Sequence, residues 1–253
     1  MDPMSRLAGV FALACLRYLP PVVLPALSPL RWAPALVRIV LMLALGWLTV
    51  LAMPALPTPG DNAVAWAIAG AGELLVGLVF GLVVALPQAA LHTMGWLLDV
   101  QAGFGAATLF NPGSQGEEQS LLGTALVLLA TVMFFLLDLH LDLYRMLVAS
   151  TRVLPVGQAA GHLSPDGLFG LLGSSFVLAL AVAAPVLLAL FAVDLGVAYA
   201  SRAMPQANVY FLALPLKVVV AWLLLVATLP FMPALLARLF RDAFARAPAL
   251  LGA

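Results

Sequence analysis

"AGAGELLVGLVFGLVV", residues 69–84, decides the fold class. It holds a single charged residue, Glu73, among aliphatic and small ones. Ala69, Glu73, Gly77 and Gly81 recur every four residues, so a helix gathers them onto one face. Small residues on such a stripe let two backbones approach closely, and Gly77 with Gly81 is the small-xxx-small pattern of helix packing in apolar surroundings. A carboxylate on that stripe faces a partner helix or a wet lumen rather than lipid. Three readings fit Glu73: one tolerated polar residue on a packing face, a proton or ion site, or an inter-subunit contact.

The rest of the chain is as apolar as this stretch. Of 253 residues, 64% are hydrophobic and only 9% charged, and the mean hydropathy of +1.13 belongs to a membrane protein. The formal net charge is zero and no Lys/Arg block occurs, so no nucleic acid is implied as a partner. About six apolar segments stand out, at roughly 7–27, 36–53, 63–86, 121–150, 167–193 and 211–236. Each is near or above the ~20 residues that a helix needs to cross hydrocarbon. Pro25, Pro29 and Pro34 follow the first segment, Pro54, Pro57, Pro59 and Gly60 the second, and Pro155, Gly157 and Pro165 the fourth.

An all-α, membrane-associated protein of helical hairpins follows, with about six long apolar helical segments and a glycine-rich loop between the third and fourth. Period-two alternation is absent, which disfavours a β-barrel. One domain over residues 1–253 is expected, since no soluble domain is left over. Arg6 precedes an apolar stretch, but Arg17, Pro20 and Pro21 follow it without a clear cleavage site, so the N-terminus is read as retained. If that end is cytoplasmic, its side collects Arg6, Arg145, Arg152, Arg238, Arg241 and Arg246, against Arg31, Arg38, Arg202 and Lys217 opposite. The positive-inside bias is weak. Helices buried in protein rather than lipid would explain it.

Catalytic and metal readings find little support. Cys15 is the only cysteine, which rules out an internal disulfide and a cysteine cluster. There is no HExxH, Walker A or Rossmann glycine pattern, so no cofactor is expected, and "GSS" at Gly173 to Ser175 is not a nucleophile elbow. In "FFLLDLHLDLYRM", residues 134–146, Asp138 and Asp142 share one face of a continuous helix and Arg145 is placed to pair with Asp142. His140 points away from both acids, the wrong arrangement for joint coordination of a metal. In "DLGVAYASRAMPQANVYFLALPLK", residues 194–217, Pro205 breaks a helix beside Gln206 and Asn208, whose amides satisfy freed backbone groups. Lys217, one turn into the next run, either snorkels or pairs with an acid on a neighbouring subunit.

These residues also carry a family resemblance. "PQANVYFLALPLK" (205–217) resembles the Pro-Gln-x-Asn-Val-aromatic and Pro-Leu-Lys signature of the FliR/SctT family, the export-gate proteins of bacterial flagellar and virulence type III secretion systems. "ELLVGLVFGLVVALPQAALHTMGWLLDVQAGFGAATLFNP" (73–112) is similar to the family's Glu-x-x-x-Gly-x-x-x-Gly helix, its Asp-x-Gln-x-Gly turn, here Asp99, Gln101 and Gly103, and the Asn-Pro that follows. "DLHLDLYRMLVASTRVLPVG" (138–157) resembles the stretch ending in Ser-x-x-x-x-Pro-x-Gly. The order and spacing of these motifs make the likeness specific. It covers most of the chain and is nearer the flagellar branch. Two departures stand out: "LDLH" replaces the more usual Gly/Asn-Gly-His turn, and Tyr210 replaces the commoner Phe.

The resemblance implies a non-enzymatic export-gate subunit that assembles with FliP-like and FliQ-like subunits into a ring whose base an FlhB-like protein wraps, in the bacterial inner membrane. Unfolded export substrates and membrane lipid are the further partners. It implies subunit or helix contacts through Glu73, Gly77, Gly81, Asp99, Gln101, Pro205, Gln206, Asn208 and Lys217. It also places "GFGAATLFNPGSQGEE", residues 103–118, in the ring lumen as a plug. There Gly103, Gly105, Gly113 and Gly116 supply flexibility, Phe104, Leu109 and Phe110 fill the constriction beside Asn111 and Pro112, and Glu117 and Glu118 stay wet. An injectisome SctT homologue and, more distantly, a small-molecule permease are the competing readings.

Overall fold

A computed structural model describes residues 3–53, 60, 62–104, 120–158, 164–204 and 209–251. Every regular element among them is helical. In chain order these are α1 (Pro3–Tyr18), α2 (Ala35–Leu51), α3 (Ala63–Ala102), α4 (Leu121–Leu136), α5 (Leu139–Val153), α6 (Pro165–Ala203), α7 (Val209–Thr228), α8 (Met232–Ala245) and α9 (Ala247–Leu250). Five helical stretches are long and apolar enough to cross a membrane, and α4 with α5 makes a sixth if read as one broken span.

Two expected segments run longer than their apolar cores. α3 continues through Pro87 to Ala102, and α6 through Pro185 to Ala203. A proline inside a helix removes one backbone hydrogen bond, but Pro87 is flanked by alanines, leucines and a glutamine that favour continuation. At 40 residues α3 has a contour of about 60 Å, roughly twice the thickness of a bilayer's hydrocarbon. In the last segment Pro230 tightens the chain into a short 3-10 turn, Leu229–Phe231, without ending the helical run.

The chain divides into two compact units. Met1–Pro87, Asp138–Ser174 and Phe240–Ala253 form the first; Gln88–Leu137 and Ser175–Leu239 form the second. In the first, Val10, Leu13 and Ala14 of α1, Val50 of α2, Ala69 of α3 and Val156 make a buried cluster, flanked by Phe11, Leu16 and Trp66. The small-residue stripe of α3 serves this packing: a Cβ on Gly77 would overlap the Arg17 carbonyl, and one on Gly81 would meet Leu27. The prolines after α1 form a single π turn, Leu19–Val23, closed by the Leu24 amide on the Leu19 carbonyl at 3.3 Å. Tyr18 and Thr49 join α1 to α2 by a 2.7 Å hydrogen bond. At the other end of the unit the Ser164 amide bonds the Leu250 carbonyl, which seats the start of α6 on α9.

In the second unit α3 and α4 cross where Gly95 faces Gly123, an approach that leaves no room for a Cβ on either. Leu122, Leu126, Ala130 and Phe134 bury one side of α4. The glycine-rich stretch 105–119, between the third and fourth apolar segments, lies outside the described residues.

One sequence expectation is corrected. Asp138 and Asp142 do not share a face of one helix, because α4 ends before Asp138, which adopts φ 55 in the left-handed region. α5 begins at Leu139, and the Asp142–Arg145 pair forms at 3.1 Å as expected. Hydrophobic periodicity has no term for one left-handed residue. The clue is the residue type: "LDLH" stands where the resembling family more usually has Gly or Asn, and Asp follows these two in tolerating that region. Asp138→Gly and Asp138→Asn therefore keep the unfolding midpoint of the detergent-solubilised chain, while the β-branched Asp138→Val lowers stability by about 1–2 kcal/mol.

Candidate functional site

Two groups of interacting buried polar residues stand out among the described residues. In the second unit these residues stand at the two ends of the glycine-rich stretch, and Asp99 is their centre. Its carbonyl accepts the Phe104 amide at 3.0 Å, and its carboxylate accepts the Ser120 hydroxyl at 2.6 Å and the Leu122 amide at 3.2 Å. Ser120 caps α4 in turn, its hydroxyl accepting the Gly123 amide at 2.8 Å. Asp99 and Ser120 are both buried, so these bonds compete little with water. Gly103, at φ +87, turns the chain out of α3 against Leu214, a conformation that glycine adopts without strain. One residue thus holds Phe104 on one side of residues 105–119 and Ser120 on the other.

Beside this clamp lies an ionic group. Gln101 donates through Nε2 to Asp194 Oδ2 at 3.1 Å, and Lys217 forms an ion pair with Asp194 Oδ1. Lys217 is buried on the apolar α7, whereas the Asp194 carboxylate is about one third exposed. Lys217 finds its acid within the chain. The group ties the end of α3 to α6 and α7.

The first unit holds the buried charges. Arg17 and Glu73 are fully enclosed and paired through Nε and Oε2 at 2.5 Å, with Nη2 to Oε1 at 3.1 Å. Arg17 also donates to the Ser150 hydroxyl at 3.2 Å and the Leu154 carbonyl at 2.9 Å. Glu73 Oε1 accepts the Gly157 amide at 2.8 Å. A planar guanidinium meeting a carboxylate with two nitrogens is the strongest form of such a pair. Glu73 thus lies where α3 packs on α1, with its carboxylate engaged by Arg17 and the Gly157 amide.

Glu73, Gly77, Gly81, Asp99, Gln101, Gly103, Phe104 and Lys217 thus have positions in the described structure. Gly105, Leu109, Phe110, Asn111, Pro112, Gly113, Gly116, Glu117, Glu118, Pro205, Gln206 and Asn208 lie outside the described residues. Arg17, Ser120 and Ser150 were not anticipated. Arg17 carried a signal all the same: a lone cation in one apolar run and a lone acid in another call for each other.

The comparisons agree with this assembly of motifs. A family model described as bacterial export proteins, family 1, matches residues 8–243. The chain belongs to this family. It is 30% identical over 158 residues to flagellar biosynthetic protein FliR of Bacillus subtilis, covering 61% of each chain. It is 34% identical over 159 residues to Yop proteins translocation protein T of Yersinia pestis, covering 61% of this chain and 60% of that one. With FliR of Aquifex aeolicus the identity is 28% over 212 residues, 83% of this chain and 81% of the other. The match thus spans about three fifths of the first two relatives' lengths.

Two outcomes test the geometry. Glu73→Ala leaves a buried guanidinium without its counter-charge and costs about 3–5 kcal/mol in denaturant unfolding of the solubilised chain, whereas Arg17→Met with Glu73→Leu restores most of that loss. Asp99→Ala strands the Leu122 amide, costs about 1–3 kcal/mol and speeds hydrogen exchange at Leu122 and Gly123 while α2 keeps its protection.

Proposed function

We propose that the chain is a structural and gating subunit of a type III protein export apparatus, and that it forms part of the channel passing unfolded substrates across the bacterial inner membrane. The role is non-enzymatic. Its partners are FliP-like and FliQ-like subunits and an FlhB-like protein, and its setting is the flagellar basal body. Family membership over residues 8–243 supports the export role. The observation that supports the gating role is the Asp99 clamp, which ties Phe104 and Ser120, the residues flanking 105–119, to one side chain and its carbonyl. On this reading Phe104, Leu109 and Phe110 occlude the lumen while the glycines let the segment yield to a substrate.

The 34% identity to Yop proteins translocation protein T favours a second reading, the injectisome counterpart. Mechanism is shared between the two and cargo differs. Rescue of motility in a flagellar deletion strain supports the flagellar role; rescue of effector secretion alone supports the injectisome.

Copurification with FliP-like and FliQ-like subunits as one particle is expected, and an isolated chain that transports a small solute would overturn the export reading. Deleting residues 104–116 leaves that particle assembled but lets ions leak through it in planar bilayers. Unchanged ion permeability of the assembled variant removes the plug.

A further inference from the structure

The first turn of α2 follows "SPLRWAP", residues 28–34. Pro34 stands at the N-cap with no side chain to offer the free amides of the helix, and an uncapped N-terminus carries positive potential. Arg38, four residues into the turn, adds a full charge. Helix geometry directs its side chain back toward that N-terminus, where Nη1 donates to the Val23 carbonyl at 2.6 Å. The residue is only 8% exposed, its Nε is buried without a partner, and no carboxylate pairs with it among the described residues. A buried guanidinium with no counter-charge beside it is costly. An anion at this end of α2 would offset that cost.

The surroundings choose the anion. Beyond its first turn α2 presents Ile39, Val40, Leu43, Trp47, Leu48 and Leu51 outward. Just before it, Arg31 stacks at 4.8 Å on Trp32, which is 60% exposed. Tryptophan and arginine at the end of an apolar helix mark a membrane–water boundary. The 17 residues of α2 extend about 25 Å, enough to line one leaflet of roughly 15 Å. We propose that the N-terminal end of α2, through Arg38, Arg31 and its free amides, binds the phosphate of an anionic phospholipid whose acyl chains lie along the outward aliphatic face.

Native mass spectrometry of the full chain, released from detergent after incubation with phosphatidylglycerol or phosphatidylethanolamine, tests this. Phosphatidylglycerol is expected to be retained over phosphatidylethanolamine by about fivefold for a surface arginine and more for a buried one. Arg38→Gln abolishes the preference, Arg38→Lys keeps part of it, and Arg152→Gln, on the exposed side of α5, leaves it intact. If Arg38→Gln does not fold, Arg31→Gln provides the second variant, with a smaller drop in the same preference. Equal retention of the two lipids, or a preference that survives substitution of Arg38 and Arg31, overturns the site. Loss of the preference when FliP-like and FliQ-like subunits bind, with Arg38 then cross-linking to a partner carboxylate, overturns lipid as the anion.

Discussion

A fully buried arginine paired with a fully buried glutamate sets the terms for the first unit. Each charge alone would be expensive in so apolar a setting, and together they are tolerable only if every donor and acceptor is used. Arg17 and Glu73 meet that demand by drawing in Ser150, the Leu154 carbonyl and the Gly157 amide. These bonds fix α1 on α3 and hold the turn after α5 in register with both. The Gly77 approach to the Arg17 carbonyl belongs to the same junction, one turn along α3. A bulkier residue there would part the helices and open the ion pair.

The sequence makes some of this visible and hides the rest for physical reasons. The four-residue stripe of Ala69, Glu73, Gly77 and Gly81 is a local property, and periodicity reads it correctly. The partner of Glu73 is a long-range fact, because an isolated acid can pair with any of several isolated cations. Pro87 looks like a stop on composition, yet the helix runs through it. Pro87 has no glycine or second proline beside it and sits among residues that favour a helix. Asp138 is the opposite case, a residue that looks helical and stands in the break between α4 and α5. At the candidate site the Asp-x-Gln-x-Gly turn was legible as a motif. Its work was not, since Ser120 and Asp194 come from distant stretches.

Both units leave aliphatic surface bare. Val40, Leu48 and Leu51 of α2 in the first, and Leu216, Val219, Leu223 and Val226 of α7 in the second, face outward. Apolar surface of this extent calls for lipid or protein against it. A chain designed to complete itself only in company is the natural form of an assembly subunit, and the proposed export role is of that kind. On that proposal the lengths of α3 and α6 fit as well, since neighbouring subunits would supply apolar surroundings for the parts of each helix beyond the hydrocarbon.

The Asp99 clamp has a consequence for sequence drift. Once the ends of a segment are held together, the entropy of closing it grows only with the logarithm of its length, about 0.6 kcal/mol for each doubling. With Phe104 and Ser120 both tied to Asp99, insertions and deletions between them cost the remaining fold little. The length of that stretch is therefore freer to drift than Asp99, whose carboxylate the Ser120 hydroxyl and the Leu122 amide both require.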